Sequence, residues 1–105
     1  MSDKEWSFFY RQLESGLHID ETCFYFSDDP NECEHYLGCL PQYEKPYWIG
    51  YCDVENGCEF KSALELVNAP VFDGRSLEQR RGEMVIISVD GLSYDNWLRL
   101  RQRLH

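Results

Sequence analysis

Not one lysine or arginine stands between Arg11 and Lys45. Long apolar runs are missing too: the longest, Met84 to Ile87, is the length of a strand and far from the roughly 18 residues of a membrane span. The N-terminal residues, Met1 through Trp6, lack the basic and then apolar pattern of a secretory signal, so a cytoplasmic location is expected. The glycines Gly50, Gly57, Gly74, Gly82 and Gly91 are isolated, which excludes a glycine-rich phosphate loop. Neither a Gly-x-Ser-x-Gly elbow nor a His-Glu-x-x-His zinc helix occurs. There are no repeats, no low-complexity tract and no linker, so residues 1–105 are expected to form one domain.

Acid fills the gap left by the missing bases. Glu14, Asp20, Glu21, Asp28, Asp29, Glu32, Glu34 and Glu44 all lie between Arg11 and Lys45. Residues 1–60 carry 13 acids against three bases, a net of −10, whereas residues 61–105 carry six against seven, a net of +1. Like charges closer than a Debye length of about 8 Å repel, so local stability does not account for such a concentration. A solvated, solubilising face is the plain explanation; a field that steers a basic partner is the functional one. Direct binding to nucleic acid or an anionic membrane is disfavoured, because the potential has the wrong sign. Arg80, Arg81, Arg99, Arg101 and Arg103 form a basic group that serves either as a second patch or as internal balance to the acidic half.

Five cysteines, Cys23, Cys33, Cys39, Cys52 and Cys58, are an odd number, and without an export signal they read as reduced thiols. Cys33 and Cys39, like Cys52 and Cys58, are separated by five residues, whereas zinc knuckles place two to four between their thiolates. These four are nevertheless the ligands a zinc site would use, with His35 beside them. A nucleophilic cysteine needs a base, and no local signature joins any cysteine to His18, His35 or His105. No cofactor is expected.

Aromatic residues make up 15% of the chain, which places it among folding sequences. Ser2 and Glu5 form a capping box ahead of Trp6, Phe9, Tyr10, Leu13 and Leu17, with Gly16 as a stop, so the sequence predicts an amphipathic N-terminal helix. Thr22 to Ser27 reads as a strand with Phe24 and Phe26 on one face. Asp29-Pro30 predicts a short helix that turns Cys33, Tyr36, Leu37 and Leu40 inward and leaves Glu32, Glu34 and His35 at its edges and outer side. Tyr47 to Asp53 reads as a strand, with Asn56-Gly57 turning the chain back through Cys58 to Phe60. Ser62 and Glu65 open a short helix that Pro70 ends, and Ser76 with Gln79 marks a further turn. Met84 to Val89 reads as a central strand covered on both faces, and Ser93 as the start of a last helix with Trp97, Leu100 and Leu104 inward. The expected fold is thus α+β: a single small domain of three to four strands, one hairpin among them, packed with an N-terminal amphipathic helix, short middle helices and a C-terminal helix.

Small, acidic, aromatic-rich and without a catalytic signature, the chain resembles in outline the antidote proteins of bacterial toxin systems and phage-encoded inhibitors of nucleic-acid enzymes. That resemblance lies in composition and charge and carries over no residue. It implies a non-catalytic immunity-type protein that occludes the basic groove of a toxin such as a nuclease. Asp20, Glu21, Asp28, Asp29, Glu32 and Glu34 would steer this basic protein partner, and Tyr36 or Tyr43 would anchor it. The alternatives are a Cys/His metal- or thiol-dependent enzyme or sensor, or a structural subunit of a larger complex; the oligomeric state is left open.

Overall fold

The first helix, α1 (Asp3–Ser15), starts where the sequence places it. In this computed structural model, which describes residues 1–51 and 54–103, the Ser2 hydroxyl accepts from the Glu5 N–H while the Glu5 carboxylate accepts from the Ser2 N–H. Gly16 ends the helix at φ 73°, a left-handed conformation that glycine adopts without strain. Trp6, Phe9 and Leu13 face the core, whereas Leu17, beyond the cap, is exposed.

Six strands and three helices follow from the described residues, against the three or four strands expected. The sheet comprises β1 (Thr22–Phe26), β2 (His35–Cys39), β3 (Tyr47–Tyr51), β4 (Val54–Phe60), β5 (Met84–Val89) and β6 (Leu92–Ser93). It is antiparallel throughout, in the order β4-β3-β2-β1-β5-β6. Beyond α1 lie α2 (Ala63–Asn68) and α3 (Tyr94–Arg103). The Ser62 hydroxyl caps α2, and Ser76 and Gln79 bond each other reciprocally, as their spacing predicts.

The largest departure is β2, where a helix was expected. Asp29 does cap the following backbone: its Oδ1 accepts from the Asn31 N–H and its Oδ2 from the Cys33 N–H. Glu32, however, takes φ 47°, which no right-handed helix admits. Residues 35–39 satisfy a period of two as readily as a helical one. His35, Leu37 and Cys39 are buried, Tyr36 points to the opposite face, and pairing with both β1 and β3 decides between the periods. His35, expected at an outer edge, is instead packed among the rings of Phe24, Phe26 and Phe72.

Three smaller corrections follow. Asn56 and Gly57 run within β4, which pairs with β3 from Tyr51 opposite Val54 to Tyr47 opposite Phe60 and so is not reversed at that dipeptide; the expected strand end at Asp53 falls outside the described residues. β5 is not buried on both faces: Met84, Ile86 and Val89 are buried, whereas Ile87 remains 43% exposed. On α3, Trp97 is buried but Leu100 is 43% exposed, so the inward stripe reduces to Trp97 with Leu98 beside it; Leu104 lies outside the described residues.

One core holds these parts together. Every buried apolar residue of the three helices, and Phe72 and Leu77 between α2 and β5, joins a single cluster with Phe24, Phe26, Leu37, Ile49 and Met84. The helices therefore lie on one side of the sheet. Among the described residues no helix is long and apolar enough to cross a membrane.

Candidate functional site

Among the described residues all three α-helices lie on one side, and no helix covers the other face of the sheet. Strand register identifies what it presents, since residues directly opposite one another share a face. Cys23 pairs with Tyr36 and Tyr36 with Gly50; Gly38 pairs with Trp48 and Trp48 with Glu59; Tyr25 pairs with Val85. This open face thus bears Tyr25, Tyr36, Trp48 and Val85. Solvated sheet faces ordinarily carry polar residues at such positions. Cys23 is buried yet stands apart from the core cluster, as its place on this face requires. Burial pushes the Cys23 thiol pKa up; a hydrogen bond with Tyr36 opposes that shift and the Glu34 carboxylate adds to it.

Of the eight residues singled out for partner binding, the structure gathers two groups of three and leaves Glu34 and Tyr36 between them. Asp28, Asp29 and Glu32 lie in the β1–β2 connection. Asp28 pairs with Arg80 at 2.6 Å, and the Arg80 guanidinium sits 3.7 Å from the centre of the Phe26 ring. The two backbone N–H groups that Asp29 accepts from hold its carboxyl below its ordinary pKa, with His35 and Arg80 adding to the effect. Asp20 and Glu21 precede β1 at the opposite end of the sheet, set apart by its five residues, roughly 15 Å at about 3.3 Å per residue. Tyr43, 60% exposed, belongs to that end, on the β2–β3 loop. Tyr36 lies between the groups on the open face, and Glu34 leads into β2 beside it.

Asp20 is a structural residue as well as a charge. Its Oδ1 accepts from the Trp48 Nε1–H at 2.8 Å, directly over Gly38. Trp48, on which sequence reasoning placed no role, is thereby fixed on the open face. Alternation along β3, with Tyr47 and Ile49 inward, carries the signal that puts it there.

The basic residues of the C-terminal half are partly committed inside the molecule: Arg80 to Asp28, and Arg81 to Asp3 at 3.5 Å and to Glu78. Among the described residues the free cysteines do not gather into one site. Cys33 is held in a disulfide, which corrects the expectation of reduced thiols throughout and removes it as a thiolate ligand. Cys39 and Cys58 are free but sit on β2 and β4 with β3 between them, roughly 9.6 Å apart at about 4.8 Å per strand. Thiolates of one zinc ion, each about 2.3 Å from it, stand much closer together. Cys52 lies outside the described residues. Among the described residues no group of three metal-ligating side chains comes together.

No family model, curated protein or solved structure matches this chain.

Proposed function

We propose that the chain is a non-catalytic, acidic protein-binding domain that inhibits a basic protein by occlusion, as an immunity-type antidote does to a toxin such as a nuclease. The observation that carries this reading is the open sheet face: aromatic and aliphatic along its centre, with carboxylates at both ends and no helix over it. Apolar centres with polar rims are the common anatomy of protein interfaces, and aromatic residues dominate their binding energy. The acidic ends raise the rate of encounter with a basic surface and oppose nucleic acid, which would compete for the same groove.

Affinity capture from the native host at low and moderate salt tests the proposal. The wild-type protein should retain a basic partner whose association slows as salt rises. A variant with Glu21, Asp28, Glu32 and Glu34 reversed to lysine should lose it. Capture of no basic protein, or equal retention by the reversed variant, would refute the reading. Asp20 is left unchanged in that variant because its carboxylate holds Trp48.

A further inference from the structure

The end of the open face beside Trp48 is an open groove of ≈ 640 Å³ between the β2–β3 loop and the sheet, floored in part by Leu40 and Pro46. Tyr43 and Trp48 wall it, and Glu44, Lys45 and Glu59 stand at its sides. We propose that this groove receives an arginine side chain of a basic protein partner, its guanidinium lying on the Trp48 indole and pairing with Glu59. The inference rests on the preceding reading and names the point on the open face where that partner is gripped.

Three features converge on a planar cation. First, the indole is preorganised: its N–H is held by Asp20 at 2.8 Å, over a glycine that leaves room for the carboxylate. Little side-chain freedom is lost when something stacks on it. A carboxylate bound to the N–H edge also makes the indole face more negative, and tryptophan is the best aromatic partner for a cation. Second, Glu59 is the cross-strand partner of Trp48, so their Cβ atoms lie about 5 Å apart on the same face, the separation at which one guanidinium reaches both. Third, the local charge is negative. Glu44, Glu59 and the adjoining Asp20 outnumber Lys45, which repels anions, while a purely apolar occupant would strip water from carboxylates without pairing them. Arginine fits better than lysine because its flat guanidinium stacks and offers a fork of donors to a carboxylate, whereas an ammonium is a compact, strongly hydrated charge. Tyr43, 60% exposed, completes the aromatic wall.

The probes are the blocked peptides acetyl-(Arg)3-amide and acetyl-(Lys)3-amide, titrated at low salt into the 15N-labelled full chain. The Trp48 indole N–H and the Tyr43 and Glu59 amides should shift saturably with the arginine peptide, and more weakly with the lysine peptide. Glu59→Gln should weaken binding about threefold, the size expected of an exposed ion pair. Trp48→Leu should weaken it about fivefold, as for an exposed cation–π contact. Asp95→Asn, exposed on α3 across the sheet from the groove, should leave it unchanged. Equal affinity for both peptides, or no effect of Glu59→Gln, would overturn the proposal even if Trp48→Leu failed to fold. Shifts confined to other parts of the open face would sink the groove assignment and leave the wider reading standing; no saturable shift with either peptide would take both down.

Discussion

Gly38 is where the open face is most tightly constrained, and Gly38→Ala is the substitution that tests it. A Cβ at this position would stand 2.1 Å from Asp20 Oδ1, 2.8 Å from Trp48 Nε1 and 2.9 Å from the Glu21 backbone nitrogen. To reach ordinary contact the carboxylate must retreat by more than an ångström, which breaks its 2.8 Å bond to the indole. Glu21 has little freedom to move with it, because it already holds a left-handed conformation at φ 53°. A hydrogen bond to a charged group contributes about 1.5–3 kcal/mol, and partial exposure places this one at the low end. Overpacking adds about 1–3 kcal/mol. Removing glycine's extra freedom from the unfolded chain returns about 0.4–1 kcal/mol. The net expectation is a destabilisation of about 2 kcal/mol, or roughly 10 °C in Tm for a domain of this size.

Thermal unfolding followed by circular dichroism measures that loss, and the Trp48 indole N–H resonance reports whether the bond to Asp20 has gone. The double variant Asp20→Ala/Gly38→Ala separates the carboxylate's share from the backbone's. With Asp20 truncated, Gly38→Ala should cost about 1 kcal/mol less than it does alone, since only the indole edge and the Glu21 nitrogen remain in the way. A single variant melting within about 2 °C of wild type, or strict additivity in the double variant, would refute the steric argument.

Ser2→Ala removes one half of the capping box on α1 and should lower stability by about 1 kcal/mol in urea unfolding; no measurable change would mean that packing of Trp6 and Phe9 alone fixes the helix start. The Asp29 carboxyl has a folded pKa below its ordinary value, so its contribution is present above that ordinary value and lost as pH falls through the folded one. The Tm difference between wild type and Asp29→Asn should accordingly hold at neutral pH and close below about pH 4; a difference constant with pH would contradict it. Burial pushes the hydroxyls of Tyr47 and Tyr94 up to about 12, so their contribution is full below the ordinary tyrosine pKa and is lost as pH rises through about 12. In an absorbance titration at high pH these two should ionise well above the ordinary tyrosine pKa, and Tyr47→Phe should flatten the alkaline fall in Tm.

How legible all this was in the sequence depends on whether a signal is local. Capping pairs such as Ser2 with Glu5 and Ser62 with Glu65 act within one turn and could be read directly. The aliphatic run of β5 and the apolar stripe of α1 likewise needed no distant partner. Residues 33–40 were ambiguous because Cys33, Tyr36, Leu37 and Leu40 suit a helix while His35, Leu37 and Cys39 suit a strand, and hydrogen bonds to β1 and β3 make the choice. The Asn56-Gly57 dipeptide misled for the same reason: the register of β4 against β3, and not the local turn preference, keeps these two residues within a strand. The acids of the candidate site were visible as a run in sequence, but their division between two ends of the sheet follows from β1 running between Glu21 and Asp28. Trp48 was invisible as a site residue, since its hydrogen bond joins residues 28 positions apart.

That division changes what the acidity of the N-terminal half is able to do. Charges roughly 15 Å apart across β1 lie about two Debye lengths from one another at physiological salt, so the two groups do not act as one concentrated field. A small basic peptide meets one end or the other. A partner protein laid along β1 and β2 meets both and covers Tyr36 on the way, within a molecule whose extents are 36 × 34 × 23 Å. At the Asp28 end one of the three carboxylates is paired with Arg80, whereas the Asp20 end keeps Glu44 and Glu59 beside two aromatic rings against Lys45. Reversing charge at the Asp28 end should therefore slow association chiefly, and disturbing the Trp48 end should speed dissociation, because stacked aromatic contacts act after encounter and long-range charge acts before it.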